Sequence, residues 1–289
     1  MNREPETVVV NVFTEQGGGG NPCPIVLDAT GMTEADMQAM AQRHGLECAF
    51  LFPTDGAAPY RLRYFVPTRE MEMCGHATLG TGWLLRMRGL AAPTLITVQT
   101  LAGEVTIDMR AARIRIGQPG ATVQPVEAGY IDDILRVLGI RPSDLATPLI
   151  CNASTSRPKT IIHIASTDIL NALAPRFDEM RDLCGRIGST GLYPFAVSQD
   201  AAFTYEARQF PQSSGYLEDA ATGIAATALF GALGHYGIDI PRGVTANVLQ
   251  GRAMGRLSRM CVTMEDPRHD APHASSTYWL SGEVTEQAP

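Results

Sequence analysis

No stretch of this sequence approaches the roughly 18 uninterrupted apolar residues that a helix needs to span a bilayer. The opening MNREPETVVV lacks the apolar core and small-residue cleavage site of a secretory leader. Basic residues are outnumbered, 23 Lys and Arg against 30 Asp and Glu, for a formal net charge of −7. Nucleic-acid binders need a basic face to displace counterions, so neither a nucleic acid nor a membrane is expected as partner. Cysteine is sparse: Cys23, Cys48, Cys74, Cys151, Cys184 and Cys261 are scattered with no C-x-x-C pair. They read as reduced thiols of a cytoplasmic protein, not as a disulfide framework or a zinc site. His269 and His273 have ligand-like spacing, but EDPRHDAPHASS around them reads as a solvated loop. The GGGG at residues 17–20 lacks the Lys-Ser/Thr of a phosphate loop and the spacing of a dinucleotide fingerprint, and reads as a turn. With no G-x-S-x-G elbow either, nothing calls for a metal or an organic cofactor.

What the chain does have is a core and a repeat. Hydrophobic residues make up 45% and charged residues 18%, enough apolar material for one large or two ordinary domains. Tyr60, Arg63 and Phe65 form Y-x-x-R-x-F within YRLRYF, and Tyr205, Arg208 and Phe210 repeat it within YEARQF, about half a chain later. Nine residues after Phe65 comes Cys74, opening CGHATLGTGWLLRMRG; nine after Phe210 comes Asp219, opening DAATGIAATALFGALGHYG. Each half thus reads as a strand, a loop and a small-residue-rich helix that is apolar nearly all round, and therefore buried.

Strands are expected at 7–13, 24–27, 49–53, 60–65, 95–99 and 104–109, with a helix capped by Thr33 and stopped by Gly45. After a linker at 119–125 come helices near 128–138 and 167–174, and strands near 160–164, 194–198, 203–209 and 258–264. Strands outnumber helices without βαβ alternation, so the fold class is α+β, built of two similar halves. The first covers 1–118, joined by a returning C-terminal strand at 277–289, and the second covers 119–276.

Two facing helix starts would offer unpaired N–H groups and partial positive charge, which suit a substrate carboxylate and the charge that develops when a carbon acid loses its proton. Cys74 and Asp219 fall at matched positions, with His76 two residues after Cys74. A helix start is expected to favour the Cys74 thiolate. Glu47, just past the Gly45 stop and before the apolar AFLF, is expected to have its pKa raised by burial. Taken singly, each has a plainer explanation: a buried small thiol, a helix cap, a core histidine, a turn residue.

These residues are set in segments that resemble the phenazine-biosynthesis PhzF-like family, within the wider diaminopimelate-epimerase fold. The similar stretches are VFTEQGGGGNPCPIVLD, HGLECAFLFP, RYFVPTREMEMCGHATLGTG, TLAGEVTI, LEDAATGIAATAL and QGRAMGR, in the family's order. The resemblance implies two halves, each a sheet wrapped around a central helix, an active site between them, a homodimer, and isomerase or epimerase chemistry without cofactor. By the same resemblance Glu47 is the proton-shuttling glutamate, with His76, Asp219 and Cys74 beside it, and Asn21, Gly75, Thr222 and Gly223 contact substrate. Ala220 stands where the family usually has proline and Ile224 where it often has a substrate-contacting serine, which opens the question of the substrate. Three activities follow. The first is a Glu47 proton shuttle on a small carboxylated metabolite. The second is a two-base racemase using Cys74 with Asp219 or Glu47, and the third is a silent ligand-binding relative.

Overall fold

The computed structural model describes residues 5–265, apart from positions 57 and 93, and 278–287. His269 and His273 lie outside the described residues. The first half runs β1 (Thr7–Glu15), β2 (Gly18–Val26), α1 (Glu34–His44), β3 (Cys48–Pro53), β4 (Tyr60–Val66) and β5 (Arg69–Met71). It continues with α2 (Gly75–Met87), β6 (Leu95–Thr100), β7 (Gly103–Asp108) and β8 (Arg115–Gln118). Then come β9 (Thr122–Pro125), α3 (Ile131–Leu138), β10 (Leu145–Ser154), β11 (Lys159–Ile164), α4 (Thr167–Asn171), α5 (Phe177–Arg186) and β12 (Gly191–Val197). The chain closes through β13 (Thr204–Ala207), β14 (Phe210–Pro211), α6 (Gly223–Ala232), β15 (Thr245–Gln250), β16 (Ser258–Met264), β17 (Tyr278–Ser281) and β18 (Glu283–Glu286).

The duplication is carried by strand pairing as well as by residues. β1–β2 is antiparallel, β2–β3 parallel, β3–β4 antiparallel, β4–β6 parallel and β6–β7 antiparallel. The series β10–β11, β11–β12, β12–β13, β13–β15 and β15–β16 repeats that order of signs. β17 pairs with both β16 and β8, while β18 pairs with β1 and β9 with β10. All strands belong to one hydrogen-bonded network.

The Y-x-x-R-x-F repeat has one physical meaning in both halves. Arg63 forks onto Glu70 at 2.6 Å with its guanidinium over the Phe65 ring, 5.2 Å from the centroid. Arg208 forks onto Glu218 at 2.9 and 2.7 Å and lies 4.9 Å from the Phe210 ring centroid. A planar guanidinium can satisfy a carboxylate and a ring face at once, which an ammonium cannot do.

Two helices run through the middle and the others cover the outside. The buried core shared by both halves includes Ala77, Leu79 and Leu84 of α2 and Ala225, Ala228 and Leu229 of α6. α1 covers the outer face of β3 and β4 through Met37 and Met40, against Phe50 and Phe65. α3 and α5 do the same for the second half through Ile134, Leu138, Met180 and Leu183. Small residues in the central helices are a condition of that arrangement: a Cβ at Gly82 would come within 2.7 Å of the Ile107 side chain. Among the described residues no helix is long and apolar enough to cross a membrane.

Several sequence expectations change. The glycines at 17–20 are not all turn: β2 begins at Gly18, and Gly19 and Asn21 pair with Thr14 and Val12 of β1. Lacking side chains, they let a second segment cross, with Gly20 N–H donating to Ser258 Oγ and Arg256 donating to the Gly20 carbonyl. The linker expected at 119–125 contains β9, paired to β10. The sequence pattern predicts neither strands β5, β8, β10, β14 and β15 nor helix α5; β10 contains Pro148 and an irregular register between Leu145 and Ile150, which hides its alternation. The Thr33 cap and Gly45 stop of α1 hold, with Gly45 at φ 64.

Candidate active site

The N-termini of α2 and α6 meet between the halves. The position a Cβ would take at Gly75 lies 3.7 Å from the backbone nitrogen of Ile224, so the two first turns are neighbours. Gly223 allows this approach, since a Cβ there would fall 2.5 Å from Leu280 and 3.1 Å from Phe13. A cavity of about 100 Å³ opens at the junction. The two helix starts, Gly75 with His76 and Gly223 with Ile224, form one part of its lining, and Glu47 and Asp219 face it from the flanks.

Glu47 sits immediately before β3, where the chain enters the sheet, and its side chain is 12% exposed. Its Oε2 accepts from the Cys74 thiol at 3.0 Å and its Oε1 from the Tyr216 hydroxyl at 3.0 Å. His76 Nδ1 lies 3.2 Å from Cys74 Sγ and 3.5 Å from Glu47 Oε2. Asp219 is held from three sides. Asn21 Nδ2 donates to its Oδ1 at 2.8 Å, Thr222 Oγ1 donates to its Oδ2, and Gln250 Nε2 donates to its carbonyl at 2.7 Å. Gln250 is itself fixed by the Tyr193 hydroxyl, 3.0 Å from its Oε1.

The electrostatics separate the two carboxylates. Burial pushes the Glu47 carboxyl up, but His76, the Cys74 thiol, Arg157 and the Tyr216 hydroxyl together outweigh it and hold the group below its ordinary range. This reverses the sequence expectation, which counted the burial and not the donors. Asp219 goes the other way: burial first, and then the nearby Glu47 charge, raise it to about 6. Cys74 also departs from expectation. Burial and the adjacent Glu47 carboxylate push its thiol well up, overriding the helix start, so Cys74 is a neutral donor and not a thiolate. Burial and Glu47 likewise keep Tyr216 a phenol.

The structure brings Glu47, Cys74, His76, Asp219, Gly75, Thr222 and Gly223 to one cavity. Asn21 stands behind it instead: both of its amide contacts go to Asp219 and the Ala221 carbonyl, so it positions Asp219 and is not among the lining residues. The match of Cys74 with Asp219 also shifts. Cys74 caps α2 and Thr222 caps α6, so the counterpart of Cys74 is Thr222, and three extra residues precede the second helix. The sequence reading missed Tyr216, Gln250, Arg157, Lys159 and Gln209. One signal was available for Lys159: it is the sole lysine of the chain, every other basic residue being arginine.

Glu47, Cys74 and His76 also present ligand atoms within 4.8 Å of one another, an oxygen, sulfur and nitrogen set of the kind zinc accepts. Their contacts are already accounted for as an acid–base cluster, because the thiol donates to the carboxylate and touches the imidazole.

Known proteins are similar to this chain in sequence and in fold. A model of the family described as phenazine biosynthesis-like proteins (PhzC-PhzF) matches residues 10–286. The uncharacterized isomerase YddE of Escherichia coli strain K12 is 32% identical, covering 95% of this chain and 95% of that one. An uncharacterized isomerase of Deinococcus radiodurans is 30% identical over 89% of this chain and 85% of its own. Among solved structures, a phenazine biosynthesis protein of the PhzF family from Bacillus anthracis superposes with a TM-score of 0.84 at 25% identity, over 98% and 96% of the two chains. A probable proline racemase from Agrobacterium radiobacter shares the fold at a TM-score of 0.64 and 12% identity, over 98% and 91%. Matched over nearly its full length in sequence and in fold, the chain belongs to the phenazine biosynthesis-like (PhzF) family.

Proposed function

We propose that this protein is a cofactor-independent isomerase in which Glu47 shuttles a proton on a small carboxylated metabolite. The observation that carries this reading is the state of Glu47. It is nearly enclosed, held ionised by hydrogen bonds to both oxygens, and faces a cavity that two helix starts also line. The first-turn N–H groups of α2 and α6 suit the substrate carboxylate and the negative charge that grows on it as the neighbouring carbon is deprotonated. Glu47 takes the carbon proton and returns it at a second carbon of the same bound molecule. Asp219, with its pKa near 6, gives and recovers a proton at a substrate oxygen or nitrogen. Two carboxyl groups whose environments drive their pKa values apart are suited to opposite roles, one as base and one as acid.

His76 orients the cluster through Cys74 and Glu47. Because the Cys74 thiol is hydrogen-bonded to Glu47 at 3.0 Å, the two cannot flank a substrate carbon from opposite faces, and this reading ranks ahead of a racemase that pairs them. The test is Glu47→Gln, assayed by incorporation of deuterium from D2O into a panel of small carboxylates. The variant should lose exchange by a factor of about 1,000 or more while binding the same compounds. Exchange at the wild-type rate would remove Glu47 from the mechanism.

A further inference from the structure

One wall of the cavity carries more polar capacity than the scheme above uses. Lys159, the first residue of β11, is 4% exposed and lines the cavity. Among the described residues its ammonium has no hydrogen-bond or ion-pair partner. Two positions earlier Arg157 lines the same cavity; its Nη1 reaches Met71 Sδ at 3.6 Å, and its Nε is buried with no partner among the described residues. Gln209 completes it: the residue is 1% exposed, and among the described residues neither side-chain amide atom has a partner. A buried polar group left unmade costs stability, and two cations set side by side repel each other. The arrangement makes physical sense when an anion sits among these donors.

Strand register shows that this wall belongs to the second half alone. Ile25 pairs with Ala49 as Ile161 pairs with Tyr193, and Cys48 faces Phe65 as Leu192 faces Phe210. Counting back along β2 and β11, Lys159 stands where the first half has Cys23, and Arg157 where it has Asn21. The duplicated scaffold therefore did not impose cations at these positions.

We propose that Lys159, with Arg157 and Gln209, forms a second anion subsite, and that the substrate is a small dicarboxylate bridging this wall and the paired helix starts. The inference rests on reading the helix starts as the first carboxylate site. It also accounts for a lone lysine in a chain whose other basic residues are all arginine. An arginine stays charged whether or not an anion is bound, whereas a lysine can release its proton in the empty site and regain it with the ligand. Burial, and then the repulsion of Arg157, bring Lys159 down to about 7, against the opposing pull of Asp219, Cys184 and Glu47. A bound carboxylate would restore its charge, so dicarboxylate binding should take up a proton.

The experiment is calorimetric titration of the full chain with malonate, succinate and glutarate. Each is compared with the monocarboxylate of equal length, at about pH 8 in buffers of different ionisation enthalpy. At least one dicarboxylate should bind about tenfold or more tighter than its monocarboxylate and take up protons. Lys159→Met should abolish both the preference and the uptake, and Lys159→Arg should keep the preference without the uptake. Equal affinities, binding by none of the three dicarboxylates, or a preference that survives Lys159→Met would each overturn the inference. The assay needs no turnover. A Lys159-dependent preference in a protein that exchanges no carbon-bound hydrogen sinks the isomerase reading alone, and exchange indifferent to a second carboxylate sinks only the inference.

Discussion

Lys159→Met should make the protein more stable, and the size of the gain depends on pH. In the folded chain the ammonium is buried, without a hydrogen-bond or ion-pair partner among the described residues, and its pKa falls from the ordinary lysine value of 10.5 to about 7. The unfolded chain therefore holds a proton that the folded chain lacks throughout that interval, and stability rises with pH across it. Below the folded value the folded protein carries the charged amine at its full cost; above the ordinary value both states are neutral and the cost is gone. Converted through linkage, the cost at pH 7 is on the order of 4 kcal/mol. Methionine has a similar length, no charge and no hydrogen-bond requirement, and among the described residues Lys159 has no side-chain hydrogen bond or ion pair to lose. Denaturant titrations near pH 6.5, 8 and 9.5 should show the variant ahead by roughly 2–4 kcal/mol at the lowest pH, with the gap closing as pH rises. A variant equal to or weaker than wild type at the lowest pH, or a gap that does not narrow, would refute the reasoning. A confirmed gap would mark Lys159 as a residue kept for function at the expense of stability.

Asp219→Asn should act in the same direction over a lower range. Asp219 is raised from 3.8 to about 6, so its contribution to folding is complete below the lower value and is lost as pH rises through the upper one. The amide keeps an acceptor for Asn21 and gains a donor that can face Thr222. The variant should therefore be more stable than wild type near pH 7, by roughly 2–3 kcal/mol, and lose the pH dependence between these values. Its deuterium exchange should fall about 100-fold or more, since the acid is gone. Because the Glu47 charge acts on Asp219, a carboxyl titration followed by NMR should give apparent values that belong to the pair. Cys74→Ser should keep exchange within about tenfold, because a hydroxyl still donates to Glu47 Oε2. A Cys74→Ser loss as deep as that of Glu47→Gln would return the thiol to a catalytic role.

The parts of the fold that could be read from sequence were those with a local physical cause. Thr33 and Gly45 bracket α1 because a cap and a left-handed stop are chosen by the residues themselves. The small-residue runs GHATLGTG and GIAATALFG announced two buried helices because only small side chains let strands approach so closely. β10 was hidden by Pro148 and its irregular pairing, and β8, only four residues long, gave too short a pattern to read. α5 does carry a sequence signal, Phe177, Met180, Leu183 and Cys184 at helical spacing. In the site, Glu47, His76 and Asp219 came from motif and resemblance. Their proton affinities could not be read, because those depend on Tyr216, Arg157 and Thr222 arriving from distant segments.

The comparison of the halves separates scaffold from chemistry. What both halves retain is mechanical: the arginine over the phenylalanine ring, its fork onto a glutamate, and the order of parallel and antiparallel pairs. What they do not share lines the cavity. By register Glu47 corresponds to Gly191, since Cys48 faces Phe65 as Leu192 faces Phe210. Cys74 corresponds to Thr222, Lys159 to Cys23 and Arg157 to Asn21. A two-base racemase built on the pseudo-symmetry would want equivalent bases on the two sides of the substrate. Here one half supplies a carboxylate and the other, at the matching place, a glycine with no side chain. The second half instead supplies cations and Asp219. That division suits a single base on one side of the substrate, with anion recognition and an acid on the other. It is why proton movement within one bound molecule fits this cavity better than inversion between two bases.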